Sequence, residues 1–519
     1  MPADTQYGIL AAAAVRPGQP ALVLGPEVRT YADLDDRARR AADALSRLGV
    51  ARGDRVGVML PNSFEWFEVV HGAGRLGAMA VPVNIHFKAA ETGWVLTDAG
   101  CRAVVVTPEL AGSLADVADI PRLVVGDGYE EALAAAGPGG RPVDTAGPGG
   151  RPVEQAGPGS DDGAPGRGDA WPTTMVYTSG TTGRPKGVVP GGDDLRRTAA
   201  GMAGMGARWG FGPGDVHLLV GPAYHSGPAA FAQAHLALGA TVVIMPRWDA
   251  ESCLALIQDH RVTNTHMVPS NFIRILDLDP RIRASYDLAS LRVVLHAAAP
   301  CPVPVKRAFM ELVGPEKVFE YFGATEGGGT AITPQEWLEH PGSVGRAIGG
   351  NEIVILDDEG RVLGPEEVGL VFVRPESAPF RYHRDDEKTS AAFKGERFTV
   401  GDMGYLDKDG YLFLTDRRAD MVITGGVNVY PREIEDVLYL HPDVADCAVY
   451  GVPDERWGEA LKAVVQPRAG ASLSTDDVVA WCRERLADYK RPRLVAFVDE
   501  LPRDPNGKIA KHRLRAVEG

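Results

Sequence analysis

The chain has 519 residues, 45% of them hydrophobic and 24% charged, with a net charge of −15 at pH 7. That length exceeds what one hydrophobic core supports and requires two or more domains. The acidic balance excludes a nucleic-acid binder, which needs a basic surface, and makes any anionic ligand depend on local cations.

The five cysteines, at 101, 253, 301, 447 and 482, form no Cys-x-x-Cys pair, so neither a disulfide framework nor a zinc site is indicated and reduced thiols are expected. No apolar run reaches the ~18 residues of a membrane span, and the stretch before Arg16 lacks the charge pattern of a signal peptide, so a cytoplasmic location is expected. Residues 30–48 place Leu34, Ala38, Ala41, Ala42, Leu45 and Leu48 at three-to-four spacing, which predicts an amphipathic helix closed by Gly49. A strand at 55–60, a helix at 65–76 and a strand at 80–83 follow. Short apolar runs recur at 103–106, 241–245, 265–268 and 293–295. Strands alternating with helices predict parallel sheets of α/β type.

Between 136 and 168 the pattern breaks: Ala136-Gly-Pro-Gly-Gly-Arg-Pro-Val143 returns as Ala146-Gly-Pro-Gly-Gly-Arg-Pro-Val153, and a third copy begins at Ala156. Such a Gly/Pro tandem buries too little apolar surface to offset its ordering entropy, so a surface loop is expected. Beyond 360 the texture turns to short strands, 369–373 and then 404–414, where Asp409-Gly410 signals a hairpin. The last hundred residues predict a helix at 433–440, a strand within 444–452, a helix at 476–486 and a strand at 494–498.

Two runs carry chemistry. Thr178-Ser179-Gly180-Thr181-Thr182-Gly183-Arg184-Pro185-Lys186-Gly187 interleaves hydroxyls and cations with glycines that free the backbone to wrap an anion, so polyphosphate is its natural ligand. A Walker A loop is excluded, because Lys186 lies between Pro185 and Gly187 where that loop needs Gly-Lys-Ser or Gly-Lys-Thr. In the second run, 320–326, Tyr321 and Phe322 offer a flat surface for a purine and Gly323 permits a tight turn. Thr325 offers a hydroxyl to phosphate, and Glu326 a hard oxygen to magnesium. Upstream, Ala297, Ala298, Ala299 and Pro300 are small enough for the backbone to approach a ligand, although a tight turn would equally explain them.

Together these runs resemble the adenylate-forming superfamily of acyl-CoA synthetases, aryl-CoA ligases, luciferases and peptide-synthetase adenylation domains, and the spelling of 296–302 and 324–330 looks most like bacterial fatty-acyl-CoA synthetases. The resemblance implies a site for ATP in which Thr178 to Gly183 and Lys186 hold phosphates. It puts Ala298, Ala299, Pro300, Tyr321, Phe322 and Gly323 at the adenine, Asp402 on the ribose and Arg417 on ribose or phosphate. Thr325, Glu326 and Lys508 serve catalysis, with Mg2+ on Glu326, and Lys508 is a mobile charge able to meet carboxylate and α-phosphate. Ala297 and His225 border the acid, and Gly425 and Gly426 meet the pantetheine arm of CoA. Lys490 and Lys511 read as solvated charges. Three positions depart from the family pattern: Ala297 stands where glycine is frequent, Val400 is inserted before Gly401-Asp402, and the hinge is Ala419 rather than aspartate or lysine.

The fold implied is α/β: a large N-terminal domain of stacked α/β sheets plus a β-rich subdomain over 1–417, and a small rotating α+β domain over 418–519. The expected function is an ATP-dependent acid–thiol ligase that forms acyl-AMP with release of pyrophosphate and passes the acyl group to CoA, with a fatty or medium-chain acid as substrate and room for a homodimer. Alternatives are an aryl or unusual small acid, including an inorganic one, delivered to an amine or carrier protein, and a nucleotide-binding homologue without catalysis. Joint retention of Glu326, Arg417 and Lys508 argues against the last.

Overall fold

In the computed structural model the described residues are 8–117, 119–136, 173–178, 185–189, 191, 206–376, 380–418, 420–424, 426–454, 456–504 and 507–516. The Gly/Pro repeat, Ser179 to Gly183, the hinge residue Ala419 and Gly425 lie outside them. The chain divides into two compact units, Met1–Arg247 and Trp248–Gly519, so the expected 417–418 boundary falls inside the second.

In the first unit, Thr30 caps the helix Tyr31–Arg47 through a capping box with Asp33, which satisfies two of the amides that a helix start leaves orphaned. Tyr31, Leu34, Ala38, Ala41, Ala42 and Leu45 are buried on its inner face, as the spacing requires. The helix Phe64–Leu76 ends at Gly77 in the left-handed conformation that glycine adopts without penalty. Its neighbour is an all-parallel sheet in the order Arg122–Val124, Cys101–Val106, Arg55–Met59, Met79–Pro82, Thr173–Thr174. The central strands are buried on both faces, which is why they read as continuous apolar runs. A further set runs Val216–Leu219, Thr241–Ile244 and Pro20–Leu24, all parallel, with Glu27–Thr30 antiparallel at its end.

In the second unit, Asn264–Met267, Val293–His296 and Val318–Ala324 are parallel, and Gly327–Ile332 folds back antiparallel on the last. The β-rich part pairs Glu352–Leu356 with Gly369–Arg374, and Asp402–Leu406 with Leu412–Arg417. The second pair is the expected hairpin, turned at Asp407 and Gly410 with Gly410 at φ 81°. The C-terminal part pairs the long strands Val444–Asp454 and Gly458–Pro467, adds Leu494–Phe497 in parallel, and covers them with the helices Pro431–Leu438 and Thr475–Arg485. Its core includes the buried Val429, Ile434, Leu438, Val449, Leu461 and Val478. Fully burying each of its larger side chains contributes about 1.5–3 kcal/mol.

Candidate active site

Val293–His296 and Val318–Ala324 are parallel neighbours with His296 opposite Glu320, and both deliver their next residues to the site. After His296 the chain bends through Ala297, which is buried, to Ala298, which is exposed at φ 72°. The left-handed position is therefore Ala298 rather than Ala297. A Cβ there is strained by about 1–2 kcal/mol, and strain of this kind concentrates at functional sites. Ala299 and Pro300 complete the bend.

After Glu320 come Tyr321 and Phe322, which the strand sends to opposite faces. Phe322, Gly323, Phe398, Thr399, Val400 and Asp402 are among the residues around a recess of about 270 Å3, its open mouth included. Tyr321 instead shares a hydrogen bond of 3.1 Å between its hydroxyl and His266 Nε2. Only one of the two aromatics thus joins Asp402 at the recess. Gly323 lies within the strand, and the reversal falls at Thr325 and Glu326 between the paired Ala324 and Gly327. What demands small residues here is close approach: a Cβ on Gly329 would sit 2.2 Å from the Phe322 carbonyl oxygen. The turn expected at Gly323 therefore lies two residues further on, at Thr325 and Glu326.

The Tyr382 hydroxyl donates to Glu326 Oε1 at 2.9 Å. Burial first, and then the Glu326 carboxylate, push the Tyr382 phenol above its ordinary value, so it stays a donor. Nothing in the sequence connects positions 326 and 382, although the aromatic Phe380 and Tyr382 stand out in a polar stretch. The Glu326 carboxylate is an acceptor with lone pairs beyond the one Tyr382 uses, so the donor set suits a hard cation.

Asp402 and Arg417 are cross-strand partners in the hairpin, with Arg417 Nε donating to Asp402 Oδ1 at 3.2 Å. Thr399 Oγ1 accepts from the Gly401 amide at 3.1 Å, and this turn absorbs the inserted Val400 while Asp402 keeps its place. Lys508 lies on a tight loop: its amide donates to Asp504 Oδ1 at 3.0 Å, the Asp504 amide donates to its carbonyl at 2.8 Å, and Gly507 takes φ 77°. Arg503 fixes the loop by donating to the Gly507 carbonyl at 2.5 Å and pairing with Asp446. Burial, and then Arg417, lower the Lys508 ammonium, while Asp504 and Asp402 pull the other way. The loop thereby brings Lys508 within electrostatic reach of Arg417 and Asp402.

Beneath both strands lies a charge network that sequence reading missed. Lys306, on the helix Val303–Val313, is fully buried with Nζ 2.7 Å from Glu320 Oε2, and His296 Nε2 is 3.3 Å from the same oxygen. Lys511 also departs from expectation. Its ammonium is 2.8 Å from Glu435 Oε1 with the side chain only 17% exposed, so it is a buried partner rather than a solvated charge. Lys490 pairs with Glu433 at 2.6 Å.

In the first unit, Thr178 and Lys186, the described ends of the Gly/Thr-rich run, are cross-strand partners. Among the described residues the Lys186 Nζ is buried with no hydrogen-bond partner, and a buried cation needs a counter-charge. His225 stands at the N-cap position of the helix Ser226–Ala237, where its side chain makes no capping hydrogen bond. Gly426, in the second unit, turns the Val422–Thr424 and Val427–Val429 hairpin at φ 80°.

Comparison with known proteins agrees with this geometry. The model of the AMP-binding enzyme family matches residues 9–378, and that of the AMP-binding enzyme C-terminal domain matches 433–508. The chain is 36% identical over 519 residues to the 3-[(3aS,4S,7aS)-7a-methyl-1,5-dioxo-octahydro-1H-inden-4-yl]propanoyl:CoA ligase of Rhodococcus jostii, covering 96% of each chain. It is 34% identical over 493 residues to the long-chain-fatty-acid–CoA ligase FadD13 of Mycobacterium tuberculosis, covering 94% of this chain and 92% of the relative. Among solved structures, ATP-bound MatB from Rhodopseudomonas palustris superposes with a TM-score of 0.82 at 27% identity, covering 99% of both chains.

Proposed function

The chain belongs to the AMP-binding enzyme family and is an AMP-forming acyl-CoA synthetase, and we propose that its acid is a fatty or medium-chain carboxylic acid. In the first half-reaction the carboxylate attacks the α-phosphorus of ATP, forming acyl-AMP and releasing pyrophosphate. In the second, the CoA thiol attacks the mixed anhydride and AMP leaves. The observation that carries this reading is geometric: Asp402, a carboxylate suited to ribose hydroxyls, is held by Arg417 at 3.2 Å at the recess, and a tight loop presents Lys508, whose ammonium feels both charges. Positioned charge of this kind stabilises the negative charge that develops at phosphorus and needs no covalent enzyme intermediate.

Glu326, oriented by Tyr382, would hold Mg2+, which would neutralise phosphate charge. Lys186 would meet the same phosphates through its buried ammonium. Phe322 would offer its ring to the base, Ala297 and His225 would border the acid, and Gly426 would meet CoA. We place the joint between the larger and smaller domains at 417–418, after the strand Leu412–Arg417 and before the region matched by the C-terminal model. A cytoplasmic location fits, and no helix among the described residues is long and apolar enough to cross a membrane.

Acid-dependent exchange of pyrophosphate into ATP, run over a panel from short to long fatty acids with aryl acids alongside, tests the assignment. Exchange should be strongest with a fatty or medium-chain acid and should be followed by thioester when CoA is added. Exchange with aryl acids only would overturn the substrate class. Exchange without thioester would move the acceptor to an amine or a carrier protein.

A further inference from the structure

The helix Pro269–Leu276 and its C-cap Asp277 place Ser270, Arg274 and Asp277 four and three residues apart, hence on one face. All three positions meet the C-terminal segment. A Cβ on Gly507 would lie 2.3 Å from Ser270 Oγ and 3.1 Å from Val268 Cγ2, so only a glycine lets the Lys508 loop settle there. Arg274 Nη2 is 2.6 Å from Glu500 Oε1, and Asp277 Oδ1 is 3.1 Å from Arg468 Nη1. The two ion pairs have opposite polarity, so they specify one docking register and repel a shifted one.

The contacts also grip where leverage on Lys508 is greatest. Glu500 and Gly507 bracket the loop in sequence, and Leu501 between them is buried against Ala448, Tyr450 and Val464 of the small sheet. Arg468 is steadied by donating from Nε to the Pro442 carbonyl at 2.9 Å. The side chains of Arg274, Glu500, Arg468 and Asp277 are 47%, 68%, 49% and 38% exposed. Exposed pairs are individually weak and screened by salt.

We propose that this helix face is the seat that holds Lys508 beside Asp402 and Arg417, with Ser270, Arg274 and Asp277 as positioning residues for adenylate formation. The inference rests on the acid-activating function above, so its test includes a readout that needs no turnover. Hydrogen exchange of the amides within 503–509 reports the seat directly. Arg274→Glu and Glu500→Arg should each speed exchange there about fivefold, the weight of one exposed pair turned to repulsion, and the two together should restore protection.

With an acid that supports exchange by the wild type, each single variant should lower acid-dependent pyrophosphate exchange about fivefold. Each should leave thioester formation from supplied acyl-adenylate within about twofold, and the charge swap should recover the loss. Unchanged amide protection in the single variants would overturn the seat whatever the acid. Equal losses in the two half-reactions, or no recovery in the swap, would overturn the positioning role. A wild type that exchanges pyrophosphate with no acid would count against the function alone, with the amide measurement still deciding the seat.

Discussion

Replacing Glu320 by glutamine weighs the buried charge under the site. Burial by itself would push this carboxyl up, but Lys306 and then His296 outweigh it and hold it at about 2. Against an ordinary 4.5, that displacement of about 2.5 on the pH scale, at about 1.4 kcal/mol per unit, is worth about 3 kcal/mol at neutral pH. A depressed carboxyl contributes its stability above its unfolded pKa and loses it as pH falls through the folded one, so the window runs from 4.5 down to about 2. Glu320→Gln abolishes this term and leaves Lys306 buried without a counter-charge, a situation that costs about 3–5 kcal/mol. A chain of several domains does not unfold in one step, so the assay should be local: hydrogen exchange across the strand Val318–Ala324, corrected for intrinsic rates. The variant should exchange about a hundredfold faster at pH 7, and its protection should change less than that of the wild type between pH 4.5 and 2. A variant within threefold of wild type at pH 7, keeping the wild-type acid profile, would refute the reasoning. The double replacement Lys306→Met with Glu320→Leu should recover most of the protection, because an apolar pair in place of a buried ion pair is often neutral or better.

Lys508→Ala should suppress acid-dependent pyrophosphate exchange far more than thioester formation from supplied acyl-adenylate; equal losses would contradict a role confined to the first half-reaction. Ala298→Gly relieves a left-handed alanine and should stabilise the bend by about 1 kcal/mol, read as slower hydrogen exchange across the adjoining strand Val293–His296. Burial pushes Asp416 up to about 6 against the pull of Lys511. A raised carboxyl contributes stability that is full below its unfolded value of 3.8 and lost as pH rises through about 6, so Asp416→Asn should gain about 3 kcal/mol on the wild type between pH 4 and 7, compared by hydrogen exchange across the strand Leu412–Arg417. A gain that does not vary with pH would place the origin outside the Asp416 charge.

What the sequence made legible was whatever its neighbours along the chain decide. Gly49 closing a helix and Asp409-Gly410 between two strands are local grammar, and the structure uses both at their expected place. Lys508 was legible too, since the glycine before it bends a loop whose hydrogen bonds close within five residues. The misses all have distant partners. Lys511 read as a solvated charge and Lys306 carried no sequence signal, yet Glu435 and Glu320, which pair with them, come from a different helix and strand. Tyr382 acquires meaning only when the fold carries it to Glu326. Gly323 suggested a turn because glycine usually marks one, whereas here the crowding partner is the Gly328 carbonyl, 2.9 Å from where a Cβ would stand.

The position of the buried network explains why such costly charges sit where they do. In parallel sheets ligands bind beyond the carboxyl ends of the strands, and His296 and Glu320 are the last residues these two parallel strands pair with each other, the first strand ending there and the second continuing to Ala324. A slip by one residue would turn Phe322 away from the recess and bring Tyr321 in its place. Glu320 can meet Lys306 and His296 at once only in the observed register, because a slip would carry its carboxylate to the opposite face. An apolar pair would fill the same space at less electrostatic cost but would tolerate the slip more readily. On this argument the network contributes little to net stability relative to an apolar core and much to register, so the Lys306→Met, Glu320→Leu chain should recover its protection without fully recovering its affinity for ATP.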